Sequence, residues 1–291
     1  MAVIFSRQRW ALGDACIVRD RALAPSWTLR LCTFRGVVDD ERSLGPDVGL
    51  GIEEARARVS VVHHGQVAIA TPGSVSVLGR GDAIFLAPIT QARGYSVGDA
   101  GESVLELEWT ATMPTVCSSF RLTPSALSMS TDVAEDLAGG LPPETLDLSL
   151  SAFTAELRAN GIPVPELGPL ALDLDAQRVM DVLDHTLSHL EESPNNVDLE
   201  ARFECSRWTV HRTIRDVLES YGVFGMGQRT HWRSIRDYHR LRIARMLMTA
   251  RGASPKSVAR YVGYRSVEAM CHAFANGGLA SPTRTRASIA K

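Results

Sequence analysis

The side chains with the most chemistry to offer are arginines, and they are spread unevenly. From Cys205 to Lys291 the chain carries 16 Lys and Arg against 4 Asp and Glu, a net of +12. The residues before that stretch carry 15 basic and 29 acidic side chains, a net of −14. The 291-residue chain reads as nearly neutral, at −2, only because its two ends cancel. Within the basic stretch only Lys256 and Lys291 are lysines. An arginine guanidinium grips phosphate as a fork and can hold guanine O6 and N7 together. A basic, arginine-rich segment is therefore the electrostatic footprint of phosphate contact. That chemistry needs elements that aim the cations outward from one surface.

The clearest such element runs from Ser254 to Met270. Ser254 followed by Pro255 is a helix start: serine accepts from an orphan N–H, and proline fits the first helical position. Val258, Ala259 and Val262 then fall on one face at helical spacing. Gly263 stops the helix, because glycine enters the left-handed region at little cost. Ser266 can cap a second helix with Val267, Met270 and Phe274 as its apolar stripe. Helix, glycine turn, helix is the geometry that sets a helix into a major groove. It is also the geometry of an ordinary αα-hairpin, and the charge asymmetry is what separates the two. Upstream, residues 178–192 read as a helix with Val179, Val182, Leu183, Leu187 and Leu190 as its stripe. His185 and His189 lie one turn apart there. With no Glu beside them and no third ligand, they read as outer-face residues rather than a metal site.

Over residues 206–284 these features resemble the AraC/XylS family of bacterial transcription regulators, and more loosely upstream. Residues 234–248 are similar to the family's bridging helix through Arg240-Leu241, Ala244 and Leu247. Ala259, Gly263 and Tyr264 match its second unit, and Ser281-Pro282 followed by Arg284 matches its close. The resemblance implies two helix-turn-helix units and a first recognition helix over residues 206–214. Ser206 would cap that helix, with Val210 and Ile214 facing inward. Trp208, His211 and Arg212 would face the bases, flanked by Arg207 and Arg215. Arg212 suits guanine, and Trp208 suits thymine methyls or sugar; half-buried packing is the alternative for Trp208. In the second unit Val267, Glu268, Cys271 and His272 take the outward positions, with Arg265 and Ser266 leading in.

The chain also departs from that pattern. Aligned on Ser206, the family's alanine and turn glycine fall on Glu200 and Glu204, and a leucine position falls on Asn196. The first supporting helix is thus expected to be poorly matched or shortened. The loop over residues 221–227 is glycine-rich and lacks the usual small-Pro start of the bridging helix. Met270 replaces an aromatic, His272 replaces an arginine, and Gly277-Gly278 breaks the last recognition helix. Unequal DNA contacts by the two units follow as an expectation.

Residues 1–112 carry strand signals. Residues 27–34, 59–62, 67–70 and 103–109 alternate, and residues 74–78 run through Gly79-Arg80-Gly81-Asp82 into 83–88 as an expected hairpin. Short strands with turns between them suggest a β-barrel or sandwich. The order is similar to the cupin-like sensor domain of AraC-type regulators, and residues 81–88 resemble its usual hairpin. His63 and His64 are adjacent, so on a strand they point to opposite faces. No second histidine follows in the domain, and no metal site is assigned. Trp27, His63, Tyr95 and Trp109 are the candidate lining of a small-molecule pocket in the barrel. Prolines punctuate residues 113–172, with helices expected over 133–137 and 151–159. They would form either a dimer contact or a packed linker.

The expected fold is α+β and multidomain: a cupin-like β-barrel with flanking helices, then an all-α double helix-turn-helix domain. The boundaries are 1–112 for the sensor, 113–172 for the linker and dimerisation segment, and 173–291 for the DNA-binding domain. No apolar run reaches the roughly 18 residues of a membrane span, and the N-terminus lacks a signal-peptide core. Five scattered cysteines without CxxC fit reduced thiols and a cytoplasmic location. The expectation is a sequence-specific transcription regulator, an activator, bound to double-stranded DNA as a homodimer. It would work with RNA polymerase and a small-molecule effector, with no cofactor and no catalytic residues. The alternatives are a protein-interaction regulator with degenerate DNA-binding units and a cupin-type enzyme. For the enzyme neither a metal cluster nor a nucleophile–base constellation is found.

Overall fold

The computed structural model of the chain describes residues 1–37, 56–71, 74–86, 93–97, 101–111, 118–140, 142–192, 194–221 and 231–289. Ten strands come first: β1 Ala2–Leu12, β2 Ala15–Ala24, β3 Trp27–Arg35, β4 Arg56–His64, β5 Val67–Thr71, β6 Ser74–Leu78, β7 Asp82–Leu86, β8 Arg93–Ser96, β9 Glu102–Thr110 and β10 Ser118–Arg121. Two helices follow, α1 Pro124–Gly139 and α2 Pro143–Ala159, then the short β11 Ala171–Leu172. The remainder is helical: α3 Leu174–Ser188, a 3-10 turn Leu190–Glu192, α4 Asn196–Phe203, α5 Arg207–Ser220, α6 Trp232–Leu247, α7 Pro255–Tyr261, α8 Val267–Asn276 and α9 Pro282–Ile289. None of these helices is long and apolar enough to cross a membrane.

The strands form two sheets. The large one has the order β10-β7-β4-β9-β3-β2-β1-β11, and the small one β6-β5-β8. Alternation along the strands sorts the large sheet's side chains onto two unlike faces. One face is apolar. Leu29 opposes Leu107 and Leu31 opposes Leu105, and this layer is sealed by Val133 and Leu137 of α1 and by Leu146, Leu150 and Phe153 of α2. The helices of residues 113–172 are thus longer than expected, and their apolar stripes are used up on the sheet.

The other face has three zones. Val62, Ile84, Leu86 and Val104 meet Val67, Ile69 and Leu78 of the small sheet. A charged ladder crosses the middle. Arg30 pairs with Glu106, and with Glu108 at 3.3 Å; Arg56 reaches Glu108 at 3.4 Å and Arg58 reaches Glu106 at 3.5 Å. Burial alone would raise the Glu106 carboxyl, but Arg30, Arg58 and the Ser60 hydroxyl outweigh it and hold it down to about 2. At the third zone Ile4, Trp10, Ile17, Leu23 and Phe34 enter one core with buried residues of α3 to α8. The sheet and the C-terminal helices therefore share a core.

One expectation is corrected here, and one pair of strands is new. The glycine turn over residues 79–82 does not close a hairpin. β6 pairs with β5 while β7 pairs with β4 and β10, so the turn carries the chain from one sheet to the other. β1 and β2, which are among the longest strands, gave no readable alternation in the sequence. Their inward positions include Ser6, Gln8, Arg19 and Arg21, which meet polar groups instead of a uniform apolar layer.

Candidate nucleic-acid interface

Two helix pairs, α4 with α5 and α7 with α8, are each joined by a short turn and linked by α6. In the first pair Asn195 caps α4, accepting from the Val197 and Asp198 N–H groups while Asp198 accepts from the Asn195 N–H at 2.7 Å. α4 has only 8 residues and ends at Glu204, whose φ is 51°. A non-glycine residue in the left-handed region costs about 1–2 kcal/mol; α4 itself is no shorter than α7, which has 7 residues. Ser206 then caps α5 by accepting from the Thr209 N–H at 3.4 Å.

α5 is two-sided. Val210 and Ile214 are sealed at 2 % and 0 % exposure, while Arg207, Trp208, Arg212 and Arg215 are exposed. Trp208 is 67 % exposed, which removes the packing alternative for it. The Arg212 guanidinium sits 4.5 Å over the Trp208 ring. This cation–π contact orders the two side chains without hiding either. Arg215 lies 3.2 Å from Asp216. His211 is half-buried, edge-on to His231 at 5.7 Å. Burial, then the charges of Arg207 and His231, lower its pKa.

In the second pair Ser254 caps α7, as the sequence signalled, and Ser257 completes a reciprocal capping box with it. Val258, Ala259 and Val262 are buried. Gly263 turns the chain at φ 78°, and a Cβ there would stand 2.1 Å from the Leu190 carbonyl oxygen. Ser266 caps α8 by accepting from the Ala269 N–H at 3.2 Å, with Met270 and Phe274 fully buried behind it. Arg265, Ser266, Glu268, Cys271 and His272 are all exposed, and Val267 is half-buried. The α8 surface is thus less basic than that of α5.

Not all of the C-terminal positive charge reaches solvent. On α6, Arg240 is 6 % and Arg245 2 % exposed. Burial lowers Arg240 to about 10, and its guanidinium lies 5.9 Å from the Tyr264 ring. The simple charge count therefore overstates what a duplex would meet.

The β1–β2 hairpin is the part of the arrangement that the sequence reading missed. It docks across α3, α6 and α7. Asp184 of α3 accepts from the Ser6 hydroxyl at 2.9 Å, the Gln8 amide at 2.9 Å and the Arg7 N–H at 2.6 Å, with Arg21 at 4.0 Å. Burial pushes the Asp184 carboxyl up to about 6, against the pull of Arg21 and those donors. Gln177 bonds both the N–H and the carbonyl of Phe5. The Trp10 indole donates to the Leu187 carbonyl at 2.9 Å and stacks at 6.5 Å on the ring of the buried His239. His239 is held well below its usual pKa by burial and by Arg19, Arg21 and Arg242. On α7, the Tyr261 hydroxyl accepts from the Ala11 N–H at 2.8 Å. One signal could have pointed to this docking: Asp184 lies within the apolar stripe of its helix, beside Met180, Leu183 and Leu187.

The four pocket candidates are not brought together. Trp27 and Trp109 oppose each other across β3 and β9 at 0 % and 2 % exposure and belong to the helix-side core. His63 lies at the far end of β4, its pKa lowered by burial and by Arg80. Tyr95 pairs with Ala68 in the small sheet, and its side chain lies outside the described residues. A cavity of about 500 Å³ lies instead where Leu12 meets α7, lined also by Lys256, Arg260, Tyr261 and Glu191. Among the described residues no three His, Cys, Asp or Glu side chains gather as a metal site. His185 is exposed, with its ring 4.4 Å from that of His189.

No family model and no curated protein matches the chain. Among solved structures, ToxT from Vibrio cholerae aligns at 14 % identity over 91 % of this chain and 98 % of its own, with a TM-score of 0.36. Protein Ylba from E. coli aligns at 11 % identity over 39 % of this chain, with a TM-score of 0.31. The aligned part spans 48 % of Ylba's length. At such scores neither likeness bears on function.

Proposed function

We propose that the chain is a sequence-specific DNA-binding transcription regulator of AraC/XylS type. The helix pairs α4–α5 and α7–α8 act as helix-turn-helix units, and α5 and α8 enter successive major grooves. The observation that carries this reading is the outer face of α5. Arg207, Trp208, Arg212 and Arg215 project to solvent from a helix whose opposite face is fully sealed. Arg212 reads a guanine, Trp208 packs on sugar or a thymine methyl, and the surrounding arginines hold phosphate. In this reading the protein acts as an activator in contact with RNA polymerase. The N-terminal half answers to a small molecule or partner, for which the cleft between Leu12 and α7 offers a place touching both halves. No catalytic step and no cofactor belong to it.

Gel-shift and footprinting with the region upstream of its own gene test the reading. Arg212→Ala should weaken operator binding by about 1–3 kcal/mol and relax preference at one base pair. Unchanged affinity removes α5 from the interface. A second reading, a regulator acting through protein contacts, is favoured by α8, whose exposed face includes Glu268 and Cys271. A folded protein that shifts no DNA at low salt would select it.

A further inference from the structure

The exposed faces of α5 and α8 differ in sign. Over its first two turns α5 shows Arg207 and Arg212. α8 contains no lysine or arginine, and Glu268 is its one acid. Glu268 stands two residues after its serine cap, as Trp208 does on α5, and both are exposed. Its neighbours on that face, Ala269, Cys271 and Ala275, are small and exposed, and His272 lies one turn further along. The Glu268 carboxylate accepts from its own N–H and from the Ser266 hydroxyl, which together hold its pKa below the ordinary value. No cation is among the groups that act on it. It therefore stands ionised at a fixed place, with lone pairs left for a further donor. Resting on the DNA-binding reading above, we infer that Glu268 is a base-selecting residue, so that the two units read unlike bases: guanine under α5 through Arg212, cytosine under α8 through Glu268.

The selection follows from what a carboxylate lacks. Ionised, it can only accept. In the major groove guanine offers O6 and N7 and thymine offers O4, all of them acceptors. Against these bases Glu268 would give up water with nothing donated in return, the costly case for a charged group. Adenine sets its N6–H2 donor beside the N7 acceptor, whereas cytosine offers N4–H2, the donor that suits a carboxylate. Arg212 makes the opposite choice, because a guanidinium can only donate. The small residues beside Glu268 let α8 come close enough for its short stem to reach a base edge. Arg265, exposed in the turn before the cap, holds phosphate and offsets the repulsion between Glu268 and the duplex backbone. An acid in the first turn also suits the helix dipole. That role touches only the stability of α8, so base preference separates the two.

Selection of the full chain on duplexes with randomised bases, followed by gel-shift titration of the selected site, tests the inference. The wild type should enrich one guanine position and one cytosine position, and replacing the C·G pair should weaken binding at least about fivefold. Glu268→Gln should move that position from cytosine to adenine, because a carboxamide accepts from N6 and donates to N7. Glu268→Ala should flatten it, while random duplex binds more tightly for want of a charge that phosphate repels. Arg212→Ala should flatten the guanine position and leave cytosine selected. A wild type that enriches no duplex overturns the DNA-binding reading and this inference with it. Enrichment whose base preferences neither Glu268 variant alters overturns this inference alone, and a lowered melting temperature beside it would assign Glu268 to the helix start.

Discussion

The turn of the first helix pair is made by Glu204 at φ 51°, and that of the second by Gly263 at φ 78°. The same left-handed step is taken in one place by a residue that tolerates it poorly and in the other by the residue best suited to it. Their surroundings differ in parallel. Gly263 lies against the Leu190 carbonyl with no room for a side chain, so the second pair is registered by a close backbone approach. The first pair sits on α3, which is buttressed by polar bonds from the β1–β2 hairpin to Asp184 and Gln177. The hairpin also bonds Tyr261 of α7, but the close approach at Gly263 is particular to the second unit and the buried carboxylate to the first. The first carries the more basic exposed face and the costlier turn.

The largest effect should come from filling the close approach. Gly263→Ala adds a Cβ that would stand 2.1 Å from the Leu190 oxygen and 2.7 Å from the Arg240 guanidinium, in a backbone region alanine disfavours. The two penalties together cost about 2–5 kcal/mol. Urea unfolding measures the loss, and amide exchange should show α7 and α8 opening before α5. A loss below about 1 kcal/mol would mean that shape does not register the second unit.

The buttress of the first unit should show in pH. The folded Asp184 carboxyl stands at about 6 against its ordinary 3.8. A raised carboxyl favours the fold below the unfolded value, and that contribution is lost as pH rises through the folded value. Two units correspond to about 3 kcal/mol between pH 4 and pH 7. His239, held below its ordinary value, slopes the opposite way, so the wild-type profile alone hides the effect. The difference between wild type and Asp184→Asn isolates it, and that difference should shrink by about 3 kcal/mol from pH 4 to 7 in urea unfolding. A constant difference breaks the contrast drawn here.

The C-terminal helices were largely legible because each announces itself locally. Ser206, Ser254 and Ser266 cap where serine was expected to cap, and Val210, Ile214, Met270 and Phe274 are buried where helical spacing put them. On α5 the outward positions implied by the resemblance include Trp208 and Arg212, which are exposed, and His211, which is instead half-buried against His231. What escaped depends on partners far along the chain. β1 and β2 hide their identity because Ser6 and Gln8 face Asp184, some 180 residues away, instead of an apolar layer. The turn at Gly79 to Gly81 looks alike in sequence whether it closes a hairpin or joins two sheets. Trp27 and Trp109 suit a pocket as well as a core by residue type, and only the placement of α1 and α2 decides between them.

The smallest effect is also the most specific to the comparison. If Glu204 occupies a glycine's place at a cost, Glu204→Gly should stabilise the protein despite the added freedom of the unfolded chain. Relief of the left-handed penalty, about 1–2 kcal/mol, exceeds the entropic cost of about 0.5–1 kcal/mol, leaving a net gain of about 0.5–1 kcal/mol. A small rise in melting temperature should accompany it, with slower amide exchange at the end of α4. Its effect on DNA affinity separates two uses of the strain. Unaltered operator binding marks Glu204 as a tolerated defect. Weaker binding despite higher stability marks the strained turn as what tilts the Arg212 and Trp208 face toward the duplex, and a fall in stability would show that Glu204 makes a contact worth more than the conformation costs.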